Sequence, residues 1–206
     1  MEDAGTVLTI GHSTRPLDVF LDLLVQHGVT AVADVRSVPY SRWQPQFNQG
    51  PLRSALAKRN ISYVFLGKEL GARSEDRSCY VDGRVQYRRL AATDAFKQGL
   101  ARVIDGSRKE RIALMCAEAE PLDCHRTILV TREIVAAGIA VLHVLPNGTL
   151  ERHADAMRRL LSRLRLLQQG FFESPEQLIE RAYAEQEERI AYVDQALIPE
   201  ESSADL

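Results

Sequence analysis

The sequence predicts an α/β protein: an open, mostly parallel five-stranded sheet with helices on both faces, followed by a C-terminal helical extension. Three observations predict it. Short apolar runs alternate five times with segments of helical periodicity. The ends of those runs carry nearly all the reactive side chains, as the carboxyl edge of a parallel sheet does. Beyond Leu145 the alternation stops, and two amphipathic stretches follow each other with no strand between them. The boundaries read as 6–170 for the α/β body, 171–197 for the helical extension and 198–206 for a disordered tail.

The first strand is Val7 to Ile10, closed by Gly11. Pro16 then suits a first helical turn, because its missing N–H has no partner there anyway. Leu17, Phe20, Leu21, Leu24 and Val25 share a helical face that Gly28 ends. Val29 to Val35 is the second strand, turning polar at Asp34 and Arg36. A loop of Pro, Ser and aromatic residues, Val38 to Phe47, leads to a helix over Pro51 to Arg59. Ile61 to Leu66 is the third strand. Lys68 to Gln86 lacks periodicity and is long for a connection, as functional loops and disordered segments are.

Thr93 caps the next helix, whose Phe96, Leu100, Val103 and Ile104 lie on one face. Ile112 to Cys116 is the fourth strand. Asp123 reads as the N-cap of a helix that Gly138 closes, and Ala140 to Leu145 is the fifth strand. Ala154, Met157, Leu160, Leu161, Leu164 and Leu167 mark one long helix. Ser174-Pro175-Glu176-Gln177 has the form of a capping box and opens a last helix to about Ala196.

Composition narrows the function classes. A chain of 206 residues with 45% hydrophobic and 26% charged residues is an ordinary globular composition. A net charge of −2 argues against a uniformly basic nucleic-acid coat but leaves room for a local basic cleft. Three cysteines do not make a secreted disulfide framework, Met1 to Gly5 is too short and acidic for a signal peptide, and no apolar run reaches membrane-spanning length. The expected location is the cytoplasm, away from membranes.

The candidate site collects at the strand ends. His12 and Ser13 follow the first, Asp34, Arg36, Ser41 and Arg42 the second, and Arg73 lies beyond the third. Cys116, Glu118, Cys124, His125 and Arg126 follow the fourth. With Asp123 as N-cap, Cys124, His125 and Arg126 fall in a first helical turn, where free N–H groups and a guanidinium favour a phosphate and lower a thiol pKa. Glu118, Asp34, His12 and Cys124 are the catalytic candidates. Ser13, Arg36, Ser41, Arg42, Arg73, Cys116, His125 and Arg126 are the substrate-binding candidates. Each has a plainer role beside it: the cysteines as small buried hydrophobes, Asp34 as a partner of Arg36, His12 as a tie for its loop.

Metal and cofactor are expected to be absent. Seven residues between Cys116 and Cys124 is not a standard zinc spacing, and adjacent side chains at 124 and 125 on a helix point apart. No Walker loop, Gly-x-Gly-x-x-Gly or Gly-x-Ser-x-Gly is present. Position 122, six beyond Cys116, is Leu and not the Arg of a tyrosine-phosphatase cradle. His27 and His153 read as surface helix residues, His143 as a satisfied core histidine, and Cys79 as incidental.

Thr9-Ile10-Gly11-His12-Ser13, Asp34 to Ser41, Leu66-Gly67 with Leu70-Gly71, and Cys116-Ala117-Glu118 with Cys124-His125-Arg126 occur in an order that resembles the domain-of-unknown-function 488 family. The likeness runs from Thr9 to about Leu145. It implies that these segments share one pocket, and it implies no reaction. Three functions stay open on the residues. One is hydrolysis or transfer at a glycosidic or phosphate bond of a nucleotide or nucleic acid. The second is thiol-dependent sulfur transfer or redox chemistry through Cys116 and Cys124. The third is non-catalytic binding of nucleotide or nucleic acid. The expected partners are a phosphate-bearing ligand, with nucleic acid among the possibilities, and a second copy or another protein docked on the C-terminal helix.

Overall fold

The computed structural model describes residues 5–169 and 173–198. Met1 to Ala4 and, apart from Ile198, the expected tail 198–206 lie outside the described residues. In chain order the regular elements are β1 (Val7–Gly11), α1 (Leu17–Gln26), β2 (Ala31–Asp34), α2 (Gln49–Ala57), β3 (Ser62–Phe65), α3 (Gly67–Leu70), β4 (Tyr80–Val81) and β5 (Arg84–Val85). After them come α4 (Tyr87–Ala92), α5 (Asp94–Ser107), β6 (Ile112–Cys116), a π-helical segment Arg126–Thr131, α6 (Arg132–Ala136), β7 (Val141–Val144), β8 (Leu150–Arg152), α7 (His153–Arg163), α8 (Leu166–Gln169) and α9 (Pro175–Ile190). No helix among the described residues is long and apolar enough to cross a membrane.

The fold is α/β with a mostly parallel sheet in the order β3-β2-β6-β1-β7-β8. All five expected strands are present and parallel. A sixth, β8, adds to the edge antiparallel to β7, because the Pro146-Asn147-Gly148 turn folds the chain straight back. Helices cover both faces. Phe20, Leu21, Leu24, Leu52 and Leu56 of α1 and α2 close one face against Leu8, Ile10, Val32 and Met115. Phe96, Val103, Ile128, Ile134, Leu160 and Tyr183 close the other. β1 and β6 are neighbours with Gly11 opposite Cys116, yet the chain leaves them toward opposite faces. Their carboxyl ends therefore open a crevice at the point where the connections diverge.

Several local expectations change. The second helix starts at Gln49 and ends at Ala57, not Arg59. The 68–86 segment is ordered by α3, a 3-10 turn and the β4–β5 hairpin, and it buries Cys79 and Val85 completely enough to join the core. The long helix after Leu150 breaks at Arg165, whose φ is +60°, so Leu166 is buried and Leu167 exposed. The capping box at Ser174 is present, with Ser174 Oγ accepting from Gln177 N–H and the Gln177 side chain accepting from Ser174 N–H. Its helix stops at Ile190, well before Ala196.

His153 is not a surface residue. It is buried at the start of α7, in a chain of hydrogen bonds from Thr9 Oγ1 through His143 (2.8 Å) to His153 (3.1 Å) and on to Tyr183 Oη (2.7 Å). α9 lies over it, and Tyr183 comes from that helix. Local sequence could not show the cover.

Candidate functional site

β6 ends at Cys116, and the chain then crosses the top of β1. Gly11 makes the crossing possible, since a Cβ there would stand 1.7 Å from the Glu118 carbonyl oxygen. His12 and Ser13 N–H donate to the carbonyls of Cys116 and Ala117. Pro121–Asp123 forms a 3-10 turn capped by Glu120, whose carboxylate accepts from Leu122 N–H. Cys124 is extended (φ −138°, ψ 139°), and His125 is the N-cap of the π-helical segment. The expected cap is thus displaced: Asp123 is two residues too early, and its carboxylate accepts from Arg163 and Gln186 instead. Pro121 draws the first turn forward, which a one-residue capping rule does not anticipate.

This path brings Cys116, Cys124, His125 and Glu118 together at the floor of a pocket of about 270 Å³. The Cys124 thiol donates to Glu118 Oε2 at 2.9 Å. His125 Nδ1 lies 3.7 Å from Cys116 Sγ and 3.9 Å from Cys124 Sγ. His125 Nε2–H donates to the Val35 carbonyl at 3.0 Å, which fixes the ring with Nδ1 toward the sulfurs. The turn from extended Cys124 to helical His125 removes the reason for expecting their side chains to diverge.

Electrostatics divide the two thiols. The neighbouring Cys124 sulfur and burial both disfavour a charge on Cys116, so its pKa stands well above the usual thiol range. Burial opposes a charge on Cys124 too. The Cys116 S–H, the Arg126 cation and His125 outweigh it, and Cys124 is held well below that range. Burial, then the charge on Cys124, raises the Glu118 carboxyl. His125 is raised by the same sulfur against its own burial.

The remaining candidates separate into those that line the pocket and those that shape it. Arg36 lines it, but its guanidinium is committed: Nε and Nη2 donate to Asp34 at 2.9 and 2.6 Å, Nη2 also to the Phe47 carbonyl, and Nη1 to His12 Nε2 at 3.3 Å. Asp34 is fully buried and also accepts from Tyr63 Oη at 2.8 Å. His12 stacks on Phe47 and donates from Nδ1 to Ser13 O, and burial lowers its pKa to about 4. Arg126 is fully buried and donates to the carbonyls of Glu118 and Ala119. It holds the loop from beneath.

Ser13, in the left-handed region at φ +50°, makes the turn after β1. Ser41 Oγ accepts from Trp43 and Gln44 N–H, and Arg42 stacks on exposed Trp43, so neither residue lines the pocket. Arg73 does line it, exposed at the mouth with its guanidinium 4.4 Å from the Tyr192 ring centre.

Tyr87, Ile190 and Tyr192 also line the pocket and carried no sequence signal. Tyr87 is buried at the start of α4, where burial and the nearby sulfurs keep its hydroxyl protonated. Ile190 ends α9 and Tyr192 follows it, so the C-terminal extension supplies one wall. Gln186 of α9 also donates to Leu122 O and Asp123 Oδ1, bracing the loop that carries the cysteines.

No curated protein and no solved structure is similar enough to the chain to count as a match. The family model described as "Domain of unknown function DUF488" matches residues 16–132, which include β2, β6 and the whole Cys116–Arg126 loop but neither the Thr9–Ser13 segment nor α9. That match covers more than half of the chain, and the chain belongs to the DUF488 family.

Proposed function

We propose that this protein is a thiol enzyme in which Cys124 attacks an electrophilic sulfur of a small anionic substrate, in a sulfur-transfer or disulfide-exchange reaction. The observation that carries the reading is the 2.9 Å hydrogen bond from the Cys124 thiol to Glu118, on a pocket floor where Cys116 and His125 stand beside it. The thiolate is the nucleophile in such reactions, and the proton it leaves needs a receiver within reach. Glu118 receives that proton and returns it to the departing thiol. Attack on a persulfide R–S–SH forms the Cys124–S bond, breaks the R–S bond and releases R–SH. Cys116 then gives its proton to His125 Nδ1, 3.7 Å away, and attacks the Cys124 sulfur, forming a Cys116–Cys124 disulfide and expelling the carried atom as hydrosulfide; a second, external thiol reduces the disulfide before the next turnover.

Arg73 at the mouth suits a carboxylate or phosphate on the substrate. Hydrolysis or transfer on a nucleotide is the second reading, favoured by Tyr87 and Tyr192 on the lining, which offer aromatic surface to a base. Its paired carboxylates are the weaker point, because Asp34 is enclosed by Arg36 and Tyr63 away from the pocket. The test is to mix reduced protein with anionic persulfides and disulfides and locate adducts by peptide mass spectrometry. An adduct on Cys124 that vanishes in Cys124→Ser, and that forms at least tenfold more slowly in Glu118→Gln, is expected. No adduct on Cys124, together with nucleotide turnover that survives Cys124→Ser, overturns the thiol reading in favour of the second.

A further inference from the structure

Two sulfurs and one imidazole nitrogen converge at the end of β6, and their three ligand atoms all lie within 4.8 Å of one another. Around a tetrahedral zinc ion, with Zn–S about 2.3 Å and Zn–N about 2.0–2.1 Å, two ligand sulfurs stand about 3.8 Å apart and a sulfur and a nitrogen about 3.6 Å apart. The sulfur–nitrogen separations here are 3.7 and 3.9 Å, within a few tenths of an ångström of that geometry, and the two sulfurs lie within 4.8 Å of each other, so an adjustment of at most about one ångström closes the triangle on an ion. His125 is also prepared in the way metal-bound histidines are. Its far nitrogen donates to a backbone carbonyl, Val35 O at 3.0 Å, which fixes the ring and presents the Nδ1 lone pair to the sulfurs.

We propose that Cys116, Cys124 and His125 form a binding site for a thiophilic divalent cation, Zn²⁺ in the first place, with its fourth position opening on the pocket beside Glu118. The donor set selects the ion. Two thiolates and an imidazole suit zinc, whereas magnesium and calcium require oxygen. Each ligand is held by a different part of the fold: Cys116 by the last rung of the β1–β6 ladder, Cys124 by the end of the 3-10 turn, and His125 by the start of the π-helical segment. The site therefore exists only in the folded chain, and its ion would stabilise the fold.

One consequence rests on the thiol reading and the binding itself does not. Zinc and an electrophilic substrate compete for the same Cys124 sulfur, so the ion switches the thiol reaction off.

The test is a titration of chelator-treated, fully reduced protein with Co²⁺, followed by displacement with Zn²⁺. The expected result is one equivalent of Co²⁺ giving the visible bands of a tetrahedral ion and a sulfur-to-cobalt charge-transfer band, both removed by one equivalent of Zn²⁺. Cys116→Ala, Cys124→Ala and His125→Gln should each weaken binding at least tenfold, while Cys79→Ala leaves it unchanged. Should those variants fold poorly, the native protein answers alone: bound Zn²⁺ protects Cys116 and Cys124 from alkylation and raises the melting temperature.

Absence of the cobalt bands and of zinc protection in the native protein overturns the site. So does binding that persists in folded Cys116→Ala and Cys124→Ala. The two readings fail separately: adduct formation on Cys124 without metal binding removes only the zinc site, and metal binding without any Cys124 adduct removes only the thiol reaction.

Discussion

Removing the Asp34 carboxylate is expected to unfold the site's foundation and not to disable its chemistry. Asp34 sits at the end of β2, fully buried, and accepts from the Arg36 backbone, Arg36 Nε, Arg36 Nη2 and Tyr63 Oη. Asp34→Ala leaves a guanidinium that is itself buried with no carboxylate partner among the described residues. Breaking a buried pair in this way costs about 3–5 kcal/mol. For a chain of this size each kcal/mol lowers the melting temperature by about 2–4 °C, so Asp34→Ala should melt about 6–20 °C lower. Asp34→Asn keeps the shape and loses the charge, and its cost should be about 1.5–3 kcal/mol. The assay is thermal unfolding run beside Cys124 alkylation at a temperature where each variant is folded. Because Asp34 does not line the pocket, the alkylation rate per folded molecule should stay within about twofold of native. A variant melting within about 2 °C of native yet inert at Cys124 would refute the argument and return Asp34 to the chemistry.

Three further outcomes follow from other contacts. Gly11→Ala places a methyl group 1.7 Å from the Glu118 carbonyl oxygen. It should cost about 1–3 kcal/mol of stability in denaturant titration and should disturb the Cys124–Glu118 hydrogen bond; a variant as stable as native contradicts the close crossing. In chelator-treated protein, Cys124 should react with iodoacetamide well below the usual thiol range of about 8.5, and Cys116→Ala, which removes the neighbouring thiol, should move that profile upward; identical profiles for both proteins would remove Cys116 from the account. His12 and His153, both lowered to about 4 chiefly by burial, stay neutral in the fold while the unfolded chain takes up protons near pH 6.5. Stability is thus full above about pH 6.5 and falls as pH drops toward 4, by up to about 1.4 kcal/mol per pH unit for each histidine, and His153→Gln should make that slope shallower by one proton; an unchanged slope would place His153 in water.

The five parallel strands, the glycine stops and two of the three marked caps, Thr93 and Ser174, were legible in the chain because each depends on neighbours a few residues away. So was the edge of the sheet where the candidate side chains gather, since parallel strands all deliver their carboxyl ends to one side. The single-residue cap rule failed at Asp123 because two turns compete there. Pro121 starts a 3-10 turn, and the helix proper begins only after Cys124 has run extended.

What only the tertiary structure decided is which of those side chains meet. Glycine 11 lies opposite Cys116 because β6 inserts between β1 and β2, a pairing across about a hundred residues that no local pattern states. The same insertion brings Val35 O to His125 and so aims its ring at two sulfurs. It leaves Asp34 and His12 committed to Arg36, with the pocket to Glu118. α9 was legible as a helix, but its docking was not, and with it came Ile190, Tyr192, the Gln186 brace and the burial of His153. Strand and helix propensities are properties of adjacent residues and can be read in order. The site is a property of register and packing between distant segments, where a side chain's role is set by what the rest of the chain places against it.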